Sequence, residues 1–117
     1  MEDFVRKTLL FDFYGELLTE HQKSIYQEIV FDDFSISEIA REHGISRQSV
    51  HDMRKRCEKM LTDYEERLHL VERFLTIKDH VTKIRDLSEM KDAGSARTPE
   101  ETMKRIGEIA DVILEEL

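Results

Sequence analysis

The side chains best suited to recognition chemistry sit in one short run, Arg47-Gln48-Ser49-Val50-His51-Asp52-Met53-Arg54-Lys55. On a helix, Val50 and Met53 share one face, three residues apart. Arg47, Gln48, Ser49, His51, Arg54 and Lys55 are then presented outward from the first turns. An arginine fork or a glutamine amide can bond two atoms of a guanine or adenine edge, and Ser, Arg and Lys can hold phosphate oxygens. The run Arg54-Lys55-Arg56 could also grip an acidic protein partner or an RNA backbone.

Other chemistries find little support. The five histidines, His21, His43, His51, His69 and His80, show neither H-x-H nor H-x-x-x-H spacing, and a lone cysteine offers no C-x-x-C pair, so no metal site is expected. Cys57 falls on an apolar helical stripe, where a small core thiol is expected rather than a nucleophile. There is no Ser/His/Asp order, phosphate-binding glycine loop or deaminase signature, and the carboxylates lie on polar faces. Neither an enzyme nor a cofactor is expected.

The elements that must position the basic run form a helix-turn-helix pattern across residues 36–55, ISEIAREHGISRQSVHDMRK. Two helices joined by a tight turn need a small residue where they approach, and Ala40 supplies it beside Ile39. Four residues later the turn needs a residue that accepts positive φ, and Gly44 is there. Ile45, Val50 and Met53 provide the buried residues after the turn and within the second helix. Ser35 with Glu38 reads as a capping box for the first helix, and Ser46 caps the second.

The rest of the chain also reads as helix, since it holds one Pro and four Gly among 117 residues. A first helix is expected from about Asp3 to Leu18, apolar nearly all round and so covered on more than one side. Thr19 and Gln22 open a second helix, with Ile25, Tyr26, Ile29 and Val30 on one face, ending near Asp32-Asp33. The helix starting after Ser46 keeps its apolar register through Cys57, Met60 or Leu61, Tyr64, Leu68 and Val71 to Leu87. Unbroken to Met90 it would run about 65 Å, too long for a compact domain of this size. A break is expected near Thr62-Asp63 or Lys78-His80, with a dimer formed through the distal part. Residues 91–97 read as a small, polar linker. At 98–117 an amphipathic helix is capped by Thr98, Pro99 and Glu101, with Ile106, Ile109, Ala110, Ile113, Leu114 and Leu117 inward. The organisation expected is thus 1–90, a helix-turn-helix domain with its long following helix, then 91–97, then 98–117.

Charge sharpens the picture. The net charge of −8 opposes nucleic-acid binding, but residues 41–60 carry six Lys/Arg against three acids, a local +3 that leaves −11 for the remainder. No stretch approaches the roughly 18 apolar residues of a membrane span. The N-terminal residues lack the basic region of a secretory signal, and a reducing cytoplasm suits the single cysteine.

The segment FSISEIAREHGISRQSVHDMRKRCEKMLTDYEERL resembles region four of bacterial RNA polymerase sigma factors. The order of motifs over residues 4–75 is similar to that of the small bacterial YlxM (p13-like) proteins: F-x-F-Y-x-x-L-L-T at Phe11–Thr19, S-R-Q-x-V at Ser46–Val50, and K-R-x-E-x-x-L-x-x-Y-E-x-x-L at Lys55–Leu68. The chain departs from the family at His51, where an aromatic usually follows the valine. The resemblance implies an all-α fold with a helix-turn-helix and a homodimer; with the helical pattern above, the fold class expected is an all-α helical bundle with a sigma-region-four-like helix-turn-helix and a long C-terminal helical extension. It also implies a regulatory role in co-translational targeting, with the signal recognition particle GTPase, its receptor or the particle RNA as partner. The alternative is a DNA-binding transcriptional regulator acting on duplex DNA through the same helices.

Overall fold

A computed structural model describes residues 2–89 and 98–117. It is all-α, with six helices and no strand among the described residues: α1 (Asp3–Tyr14), α2 (Glu20–Val30), α3 (Ile36–His43), α4 (Arg47–Leu68), α5 (Leu70–Ser88) and α6 (Pro99–Glu116). The chain forms two compact units, Met1–Val71 and Glu72–Leu117. The linker expected at 91–97 lies outside the described residues.

In the first unit, local sequence sets the helix boundaries. Thr19 and Gln22 form both halves of a capping box at α2. Ser35 Oγ accepts from the Glu38 amide at 3.1 Å, so this cap is made by serine. Ser46 Oγ accepts from the Ser49 amide at 3.0 Å and starts α4. The first helix ends earlier than its apolar pattern suggested. After Tyr14 the chain tightens into a 3₁₀ turn, Gly15–Leu17, before Leu18 turns extended.

The core of the helix-turn-helix is Ile25 of α2, Ile39 and Ala40 of α3 and Val50 of α4, flanked by Ile29, Ile36, Ile45 and Met53. Ile25, Ile39 and Val50 are wholly buried, and burying each such side chain contributes about 1.5–3 kcal/mol. Phe11 of α1 lies 5.2 Å from Phe31 and 6.0 Å from Tyr26, centroid to centroid, which ties α1 to α2. Within the first unit Leu10 and Tyr14 of α1 are buried, whereas its Phe4, Val5 and Phe13 and Leu17 of the following turn are exposed.

The turn between α3 and α4 is closed by a Schellman pair: the Ile45 amide donates to the Ala40 carbonyl at 3.0 Å and the Gly44 amide to that of Arg41 at 3.4 Å. This geometry puts Gly44 at φ 66°. A Cβ there would meet no atom within 4 Å, so the penalty of a side chain is backbone strain alone. Gly44→Ala is therefore expected to lower stability by about 1 kcal/mol, read as a shift in urea midpoint with an unchanged m-value.

The long helix breaks, but at neither expected place. It runs unbroken through Thr62-Asp63 and α5 runs unbroken through Lys78-His80; the interruption is His69, at φ 55°. Histidine is among the few non-glycine residues found often in the left-handed region. What fixes the break is the side chain of Glu65, only 7% exposed. Its Oε1 accepts from the Val71 amide at 2.9 Å and from the Tyr14 hydroxyl at 2.6 Å. The Tyr14 oxygen in turn accepts from the Leu70 amide at 3.2 Å. Two orphan amides at the start of α5 are thereby satisfied from α4 and α1. Burial, reinforced by the bond to Glu65, raises the Tyr14 hydroxyl pKa above its ordinary value and keeps it a donor.

In the second unit, α6 begins with both halves of the Thr98–Glu101 capping box and Pro99 in its first turn. His80 Nε2 lies 3.6 Å from Glu116 Oε1. Of the expected apolar face, Ile109 is buried and Ile106, Ala110 and Ile113 are half-buried. Leu114 and Leu117 remain 69% and 78% exposed.

Candidate nucleic-acid interface

The packing that buries Val50, Cys57 and Leu61 turns the opposite side of α4 to solvent. Arg47, Gln48 and Ser49 stand exposed in its first turn and Lys55 two turns on, while His51 and Arg54 are half-buried at the flank. From Arg47 to Lys55 the helix rises about 12 Å, and at 3.6 residues per turn these groups spread across the solvent-facing side of α4 rather than gathering at a point.

Their hydrogen bonds separate them by role. The Gln48 amide donates to Asp52 Oδ1 at 3.0 Å. Arg54 reaches both oxygens of Glu58 at 3.5 Å. Ser49 is drawn into the cap, its amide and hydroxyl both bound to Ser46. Arg47 and Lys55, by contrast, make no ion pair among the described residues. Arg56 shares that freedom and is exposed. The sequence placed Arg56 in the basic run Arg54-Lys55-Arg56, but a triplet gives no sign of which member Glu58 will engage.

The helix adds its own field. The first turn of α4 contains no acid, so the positive end of its dipole and its unpaired amides face solvent beside Arg47. Asp52 opposes this, yet its carboxylate is engaged by Gln48. The arrangement suits holding phosphates on a backbone more than reading base edges.

Ile39, Ala40 and Val50 lie in the buried core with Ile45 and Met53 packed against it, and Gly44 takes the left-handed turn position. Cys57 is wholly buried, with Sγ 3.9 Å from the Gln22 carbonyl oxygen. Burial raises the thiol pKa to about 11. It should therefore resist a thiol reagent such as DTNB at pH 8 in the native chain and react fully once urea unfolds it.

The family profile of UPF0122, described as "Putative helix-turn-helix protein, YlxM / p13 like", matches residues 1–101. The chain belongs to the UPF0122 family. It is 46% identical over 88 residues to the UPF0122 protein YlxM of Bacillus subtilis, covering 75% of this chain and 80% of that one. A UPF0122 protein of Bacillus velezensis is 47% identical over 88 residues, with the same coverage. One from Symbiobacterium thermophilum is 42% identical over 93 residues, covering 80% of this chain and 81% of the relative. The UPF0122 match takes in α1 to α5 and the start of α6, and so the whole helix-turn-helix. Among the described residues, no helix is long and apolar enough to cross a membrane.

Proposed function

We propose that this UPF0122 protein is a non-enzymatic regulatory protein that binds the backbone of a structured nucleic acid through the N-terminal half of α4. The observation that carries the reading is three exposed cations, Arg47, Lys55 and Arg56, spread across the outer side of α4 and free of ion pairs among the described residues. They stand on the second helix of a well-packed helix-turn-helix, whose first turn holds no acid. The resemblance to the YlxM group directs the reading toward co-translational targeting, with the particle RNA as first ligand and the targeting GTPase and its receptor as protein partners in the cytoplasm. The chain acts there as a homodimer, for which the exposed Phe4, Val5, Phe13 and Leu17 of the first unit supply apolar surface.

A second reading, a transcriptional regulator on duplex DNA, is favoured by Arg47 and Gln48 at the groove-entering end of a helix-turn-helix. The internal bond from Gln48 to Asp52 favours the first. Fluorescence anisotropy of the full chain against labelled particle RNA and against genomic duplex fragments decides between them. Tighter RNA binding supports the targeting role; selective retention of one DNA sequence over competitor supports the regulator; no binding to either at low salt refutes both nucleic-acid readings.

A further inference from the structure

α2 and α3 meet at a group of ligating side chains that nucleic-acid binding does not use. One ligand atom each from Glu28 on α2 and from Glu42 and His43 at the end of α3 lie within 4.8 Å of one another. His43 Nε2 is 2.8 Å from Glu28 Oε2, and the two side chains are only 18% and 14% exposed. His21, two turns before Glu28 on α2, stands edge-on to His43 with ring centroids 5.8 Å apart. Histidine spacing alone gave no sign of this, since the ligands come from two helices that only the fold brings together.

We propose that Glu28, Glu42 and His43 form a binding site for a divalent transition-metal ion of the zinc class. One imidazole nitrogen and two carboxylate oxygens make a donor set of intermediate softness, with a fourth position left to water or to His21. Mg²⁺ and Ca²⁺ fit it poorly, because they demand six or more oxygen ligands. A tetrahedral ion with bonds of about 2.0–2.1 Å draws its ligands to about 3.3 Å apart. The His43–Glu28 pair, at 2.8 Å, opens slightly to admit the ion, and Glu42, exposed and without an ion pair among the described residues, swings in. The bound ion clamps α2 to the last turn of α3, immediately before Gly44, and so stiffens the helix-turn-helix at its turn. The site stands whether or not α4 binds nucleic acid.

The test is a titration of the tag-free, chelator-stripped full chain with ZnCl₂, followed by calorimetry and thermal unfolding. Zn²⁺ in large excess over Kd is expected to raise Tm by about 5 °C or more, EDTA to reverse the rise, and equal MgCl₂ to leave Tm unchanged. Glu42→Gln and His43→Gln are each expected to weaken Zn²⁺ binding at least roughly tenfold. Glu42 lies on the surface, so Glu42→Gln should not alter the metal-free Tm, and its effect cannot be a folding defect. No Zn²⁺-dependent rise in the parent chain, or an equal rise in both variants, would overturn the proposal.

Discussion

Glu65→Ala is expected to lower the unfolding free energy by about 3 kcal/mol, read as a fall in urea midpoint. The carboxylate is 7% exposed and accepts from the Val71 amide and the Tyr14 hydroxyl. Truncation leaves both donors without that acceptor in a place water does not reach. Hydrogen bonds to charged groups contribute about 1.5–3 kcal/mol, and a stranded buried donor costs about 1–3 kcal/mol. Against a whole-domain stability of roughly 5–15 kcal/mol, that is a large share. Glu65→Gln keeps an acceptor for Val71 and should lose about half as much. Tyr14→Phe removes the donor to Glu65 and the acceptor for Leu70, and should cost about 1–2 kcal/mol. Because the two side chains share one network, the double variant should lose less than the sum of the singles. Coincident midpoints for the parent and Glu65→Ala would contradict the network.

The second large effect is on binding. The triple change Arg47→Ala, Lys55→Ala, Arg56→Ala removes three exposed cations of α4 that make no ion pair among the described residues. Taking away one phosphate-binding cation should flatten the plot of log K against log salt by about 0.9 for a duplex. Removing three should flatten it by about 2.7, and affinity at low salt should fall roughly a hundredfold or more. Gln48→Ala should change affinity less than about threefold, because the amide is already spent on Asp52. The reverse ranking, with Gln48 dominant and the cations silent, would identify base reading and favour the DNA regulator. Far-UV circular dichroism should be unchanged in both variants, since none of these four side chains is buried.

The parts legible in the sequence were those determined by neighbours along the chain. The Thr19, Ser46 and Thr98 caps, the Gly44 turn and the 3.6-residue rhythm of Ile39, Val50 and Cys57 all depend on residues a few positions apart, and each stands where its pattern put it. The break at His69 was not legible. It depends on Tyr14 meeting Glu65 across 51 positions, and neither a glycine nor a proline marks it. A glutamate on a polar-looking helix reads as surface until the fold buries it. The exposed face of α4 was half legible for the same reason. The outward face of α4 followed from periodicity, whereas which cations remain free depended on how Gln48, Arg54 and their acids pair. The Glu28–Glu42–His43 cluster was hidden altogether, being a product of α2 lying against α3.

The function proposed for this UPF0122 protein brings nucleic acid to the first three turns of α4. Amide chemical-shift mapping of the isotope-labelled full chain, titrated with particle RNA at low salt, tests it directly. The predicted result is a contiguous set of perturbed amides from the α3–α4 turn through Arg56, abolished in the triple variant. Perturbations centred on α6, or saturating binding that leaves residues 46–56 unmoved, would contradict it.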